Sequence, residues 1–314
     1  MTKRQLGQTI AKQGDITKAQ QLYTEAIQDY THAININNKY TIAYFNRGKM
    51  RHEFGQTIAK QGDITKAQQL YTEAIQDYTH AVKLNPQNIK FYNNRGNVKF
   101  MLAESKVGQQ DITEAQQLYT EAIQDYTHAI NINNKHTNAY FNRGMTRYKF
   151  GKFKVTQRKK NEAEQLYKQV IEDLTYTIKS NFQLYSSYFI RGLSKNALAE
   201  FNIEREEITN AQQSFQAAID DYTHLIKINS KSILPYNFRG LARYNLGISK
   251  AKQGNIDEAH QLYNKAIEDY TQVIKLNPTD INAYNNRGNA KKTLGQHEVA
   301  EKDYMKAKEL ESKQ

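Results

Sequence analysis

Apolar residues recur at steps of three and four along most of this chain, the spacing of one face of an α-helix. Ile64, Ala67, Leu70, Tyr71, Ala74, Ile75, Tyr78, Ala81 and Val82 form one such stripe and predict a helix from Ile64 to Leu84. Just before it, Tyr44, Phe45, Gly48, Phe54, Ile58 and Ala59 share a face and predict a helix from Thr41 to Gln61. Between the two, Gly62-Asp63 fits a glycine helix stop followed by an aspartate cap, and Gly14-Asp15 and Gly254-Asn255 repeat the device. Asn85-Pro86 and Asn277-Pro278 close the second helix of a pair, because proline disfavours helical backbone at the residue before it.

The helix pair is itself periodic. An aromatic-x-x-Arg-Gly motif places Arg47, Arg95, Arg143, Arg191, Arg239 and Arg287 at intervals of 48 residues. Residues 7–33 recur letter for letter at 55–81, as tandem duplication would produce. The chain parses into an incomplete unit, 1–40, five extended units, 41–88, 89–136, 137–184, 185–232 and 233–280, and a short one of 34 residues, 281–314. The extended units carry 14 more residues than the short one, inserted between the motifs of the two helices. Fourteen residues are close to four turns, so about seven added to each helix lengthen both without rotating the apolar stripe. Helix pairs that cannot bury their own apolar faces must stack on neighbours. The expected fold is therefore all-α, a single solenoid domain over 1–314 whose helices of about 21 residues are roughly 30 Å long.

The short unit supplies a family resemblance. Its Ala283-Tyr284-Asn285-Asn286-Arg287-Gly288-Asn289-Ala290, then Leu294-Gly295, Ala300, Tyr304 and Ala307, resembles a tetratricopeptide repeat, with the large residue, the helix-packing Gly and the small Ala at their offsets. Arg287 departs from the apolar residue common there, in an Arg-Gly variant paired with Asp-Tyr. The same landmarks recur in every unit. The resemblance implies a right-handed superhelix of stacked antiparallel helix pairs, with first helices (A) lining a concave groove and second helices (B) outside. It also implies a scaffold that binds a peptide or partner protein, not an enzyme. Ligand-facing positions carried over from the family are Asn46, Asn94, Asn142 and Asn286, just before the recurring Arg, and Lys49, Asn97, Met145, Leu193, Leu241 and Asn289, one residue after the Gly. Ile190 and Phe238 interrupt the Asn series. Lys90 and Asn94 fit part of a carboxylate clamp, but Asn142 and Ile190 stand where its Arg is required, so clamp function is not expected.

Charge refines this picture. The recurring Arg residues, Arg47, Arg95, Arg143, Arg191, Arg239 and Arg287, are matched by Asp77, Asp125, Asp173, Asp221, Asp269 and Asp303 on the B helices, which reads as structural pairing. Three residues after the motif Gly, a basic residue recurs as Arg51, Lys99, Arg147, Lys195, Arg243 and Lys291. That row reads as a solvated face with charge pairs, or as a stripe for an acidic partner or nucleic-acid backbone. The formal charge of +12 likewise favours acidic partners without choosing among them, and the local run Lys149, Lys152, Lys154, Arg158, Lys159 and Lys160 reads as a solvated turn. Pentatricopeptide arrays, which read RNA, have a different unit length, and nucleic acid stays a minor reading. His32, His80, His128 and His224 recur in register without a second ligand type close by, so no metal is expected. The chain has no cysteine, phosphate-cradling glycine loop, HExxH pair or nucleophile elbow, and no cofactor is expected. No apolar run is long enough to cross a bilayer and no secretory signal opens the chain, so a cytoplasmic location is expected. Two alternatives to protein binding are a structural array that self-associates through its repeat ends and nucleic-acid binding through the basic face.

Overall fold

The computed structural model describes residues 9–10 and 15–313. Among the described residues the regular structure is helical throughout, in the order α1 (Ile16–Ile36), α2 (Thr41–Lys60), α3 (Ile64–Leu84), α4 (Ile89–Gly108), α5 (Ile112–Ile132), α6 (Thr137–Thr156), α7 (Lys160–Lys179), α8 (Leu184–Glu204), α9 (Ile208–Ile228), α10 (Ile233–Lys252), α11 (Ile256–Leu276), α12 (Ile281–Thr293) and α13 (His297–Glu311). Even-numbered helices are the A helices, odd-numbered the B helices. The array forms two compact units, one ending at Phe153 and the other starting at Lys154, a boundary inside α6 and not at a linker.

Glycine–tyrosine contacts fix how the pairs that carry them lie. A Cβ on Gly48 would stand 3.1 Å from the Tyr78 ring, and one on Gly55 would stand 2.6 Å from the Tyr71 ring. Moving seven residues forward on α2 moves seven residues back on α3, which only antiparallel helices allow. Gly240 with Tyr270 and Gly247 with Tyr263 repeat the two rungs in the second unit. The short pair α12 and α13 keeps only the first, Gly288 against Tyr304. Its helices have 13 and 15 residues, against 20 and 21 in α10 and α11, so the inserted residues divide almost evenly between the arms. Seven residues leave a drift of only about 20° around an α-helix, so the second rung stays on the same face as the first.

The caps are partly those expected. Asp15 and Asp63 accept from the backbone N–H of Lys18 and Lys66, and Gly62 adopts φ +89° to reverse the chain. Gly14 lies outside the described residues. Asn255 occupies the cap position of α11 but makes no side-chain cap bond, a correction to the expected device. The burial stripe of α3 comprises Ala67, Leu70, Tyr71, Ala74, Tyr78 and Ala81, whereas Ile64 at its first turn is exposed.

Neighbouring pairs stack through shared clusters. Ile34 of α1, Ala43 and Tyr44 of α2, Ala81 of α3 and Phe91 of α4 pack together in the first unit. In the second, Ala199 of α8, Ala211, Phe215 and Ile219 of α9, and Ala242 and Leu246 of α10 do the same. Consecutive A helices of a unit touch, α2 with α4, α8 with α10 and α10 with α12, while the B helices α3 and α5, or α9 and α11, do not. Within each unit the A row is therefore the inner side of the stack.

The first rung is too close for a side chain. Gly96→Val would push a Cβ to 2.9 Å from the Tyr126 ring, and is expected to cost about 1–3 kcal/mol by denaturant unfolding. Gly108→Ala, where no atom lies within 4 Å, is the control and should change the midpoint little.

Candidate functional site

The inner face is held from behind by a repeated charge cluster. Arg47 donates from Nε and Nη2 to the Asp77 carboxylate at 3.1 and 2.7 Å, and its Nη1 reaches Thr31 Oγ1 of the preceding B helix at 3.1 Å. One arginine thus ties its own pair to the pair before it. The same links join Arg95 to Asp125 and Thr79, Arg191 to Asp221 and Thr175, Arg239 to Asp269 and Thr223, and Arg287 to Asp303 and Thr271. Arg143 donates to Thr127 at 3.0 Å, and Asp173 is buried. Each of these arginines also lies over the tyrosine one turn earlier, Arg47 at 5.6 Å from the Tyr44 ring.

The second basic row is not a solvated face. Arg51, Lys99, Lys195, Arg243 and Lys291 each reach the same B-helix aspartate as the arginine one turn before, at 2.6, 3.0, 2.8, 2.7 and 2.9 Å. Each shared carboxylate faces two cations in a mostly buried setting, and Lys99 is only 8% exposed. Those five cations are engaged within the fold. At Asp303 burial opposes the charge, but Arg287 and Lys291 outweigh it and hold the carboxyl below its usual value. A folded value below the unfolded one, near 3.9, means stability that is present above about pH 4 and lost as pH falls through the folded value. The stability gap between the native chain and Asp303→Asn should therefore narrow below about pH 4, as thermal melts from pH 7 to 2 would record.

Three of the recurring histidines stack on tyrosines. His80 stacks on Tyr44 at 5.1 Å, His128 on Tyr92 at 5.4 Å and His224 on Tyr188 at 4.2 Å. Among the described residues no group of three or more His, Cys, Asp or Glu could hold a metal ion.

The candidate contact residues fall into three settings. Asn94 turns back on its own helix, donating to the Lys90 carbonyl at 2.8 Å, while Lys90 itself is exposed. Asn97 accepts from Tyr126 OH at 2.8 Å and from Asn142 Nδ2 at 3.0 Å, and Asn142 also reaches Asn93 Oδ1 at 3.2 Å. Asn97 and Asn142 are thus brought together as a cross-link between α4 and α6. In the short pair, the exposed Asn289 accepts from Tyr304 OH at 2.8 Å. Asn46, Lys49, Met145, Leu193, Leu241 and Asn286 stand half-buried on their A helices.

Sequence reasoning missed the residues by which neighbouring A helices meet. His52 and Gln56 both contact Met101 Sδ, at 3.0 and 3.3 Å, and Lys149 pairs with Glu104 at 2.8 Å. Phe45 meets Phe91 at 5.0 Å, and Phe189 meets Phe238 at 5.5 Å. Burial, with Lys49 adding to it, lowers the His52 pKa to about 4, so this ring is neutral near pH 7. The recoverable signal was the offset: one residue sits between two partners 45 and 49 positions away, one turn apart, as a ridge entering a groove.

These features define a class: stacked antiparallel helix pairs, five of them with a Gly–Tyr contact, and a lined inner face. Parts of the chain match models of the tetratricopeptide repeat. A family model described as TPR repeat matches residues 62–102 and 254–295, and one described as Tetratricopeptide repeat matches 281–314. Among solved structures, BtubC (BKLC) from P. vanneervenii is similar at 15% identity and TM-score 0.49, over 79% of this chain and 88% of that one. A tetratricopeptide repeat protein from Parabacteroides merdae aligns at 16% identity and TM-score 0.47, over 98% and 91%. MamA aligns at 22% identity and TM-score 0.41, over 68% and 95%. No curated protein sequence matches the chain. No helix among the described residues is long and apolar enough to cross a membrane.

Proposed function

We propose that the inner A-helix face binds a polypeptide segment of another protein, and that the chain works as a scaffold without chemistry of its own. The supporting observation is the contrast between the two sides of each A helix. Behind it, the strong charges are neutralised within the fold. In front, amides and apolar groups stand half-buried at regular intervals, with Leu193 and Leu241 giving the second unit an apolar inner surface. Such a face suits an extended or helical segment bound by many modest contacts, each side chain meeting one or two repeats.

Peptides selected from a random display library against the chain test this reading. Leu193→Asp with Leu241→Asp should weaken the selected peptides about tenfold or more while leaving the helical melt in place, since each introduces a charge where apolar contact is required. Peptides held equally by both proteins would reject the inner face. A salt titration separates the nucleic-acid alternative, whose affinity would fall steeply as salt rises.

A further inference from the structure

The extended arms carry a cleft at a register that the first helix of the short repeat does not reach. In the second unit a 390 Å³ space opens between α8 and α10, with Phe215 of α9 at its floor and Ile203 and Ile248 on its walls. Glu200 and Glu204 line the α8 side. These α8 residues lie beyond the helix register at which the short helix α12 has already ended. The space recurs at one other place in the array. Three repeats earlier a 340 Å³ cleft is lined by Gln56, Ala59, Lys60, Tyr71 and Met101, the register equivalents of Glu200, Ile203, Glu204, Phe215 and Asn245. Five lining positions are shared, while the charge changes from none or positive to negative.

Charge chooses the occupant of the second cleft. Glu204 is already paired with Lys160. Glu200 makes no ion pair with any described residue, and Lys252 on the far wall reaches neither carboxylate. Glu200 is exposed at the mouth of the cleft, where partial desolvation and then the charge of Glu204 push its carboxyl above its usual value, an effect that an arriving cation would oppose. An aliphatic stem against Phe215, Ile203 and Ile248 with a cationic head at Glu200 satisfies both halves of the cleft.

We propose that the cleft of Glu200, Ile203, Phe215 and Ile248 receives a lysine or arginine side chain of the bound segment. This rests on the reading of the A-helix face as a polypeptide site and adds a basic anchor to it. The net charge of the chain concerns approach at long range, whereas this cleft selects one side chain at contact.

Ile203 and Ile248 are reporters already in place. With isoleucine δ1-methyl labelling of the full chain, Nα-acetyl-arginine methylamide should shift these two resonances saturably. The near-isosteric but neutral Nα-acetyl-citrulline methylamide should bind at least about fivefold more weakly, and Glu200→Gln should weaken the arginine probe by a similar factor. Equal response to both probes, no shift at the two methyls, or unchanged binding by Glu200→Gln would each overturn the proposal. Because the citrulline comparison uses the unaltered chain, it holds even if the variant misfolds. If display-selected peptides depend on Leu193 but the arginine probe leaves both methyls unmoved, the cleft falls and the inner-face reading stands. The converse pattern removes the inner-face reading while the cleft keeps its ligand.

Discussion

Asp269→Ala is expected to lower stability by about 3–5 kcal/mol, because it removes the shared acceptor and leaves two cations half-buried without it. Asp269 accepts from Arg239 at 2.6 Å and from Arg243 at 2.7 Å, and is 2% exposed. Losing it also frees Arg239 to swing away from Thr223, the bond that joins this pair to the one before it. The loss therefore strikes the interface between repeats as well as the pair. Equilibrium unfolding in denaturant measures the sum, and amide exchange along α9 to α11 measures where it falls. Replacing Arg239, Arg243 and Asp269 together by apolar residues should recover much of the loss, since exchanging a whole buried ionic group for hydrophobic side chains is often neutral or favourable. A single-site loss below about 1 kcal/mol would mean that the aspartate acts as an ordinary surface partner.

Tyr222→Ala is the second large effect, about 3–5 kcal/mol, the range for truncating a fully buried aromatic. Its ring fills the space that Gly192 leaves, with a Gly192 Cβ position only 2.7 Å away, and it meets Phe238 of the next A helix at 6.0 Å. The cavity would thus open at a three-helix junction of α8, α9 and α10 with no single neighbour able to collapse into it. Tyr222→Phe keeps the ring and gives up the hydroxyl near Asn196 Nδ2, 3.3 Å away, so its cost should be about 1 kcal/mol. A comparable loss from both variants would shift the weight from ring packing to the polar contact.

Much of this architecture was legible in the amino-acid order because it is written in local periods. The stripe on α3, the Gly62 stop, the Asp63 cap and the 48-residue interval all depend on residues near each other in sequence. The A helices were harder to read. On α2, Met50 and Glu53 are buried although they were not assigned to the apolar face, since an inner helix meets its own partner, the previous B helix and the next A helix on different sides. The pairing of Arg51 and its counterparts with the aspartates was hidden for a related reason. A four-residue offset from Arg47 shows that the two cations share a face, but not whether that face meets water or a carboxylate. Asn94 and Asn142 carry the same letter at equivalent places, yet one bonds its own backbone and the other bridges two helices. The cleft at Phe215 is the least legible feature, because it is a volume that neighbouring helices fail to fill.

The two Gly–Tyr rungs set a quantum for the height of this wall. An insertion shared equally between the arms returns glycine opposite tyrosine only when each arm gains about a heptad, so a repeat can grow or shrink in increments of roughly 14 residues and at no intermediate size. Each further increment would add the same angular slip, so successive rungs would wander round the helix until the contact parted. Tall and short repeats can consequently share one stack, with the depth of its inner surface altered stepwise while the docking of one pair on the next is preserved.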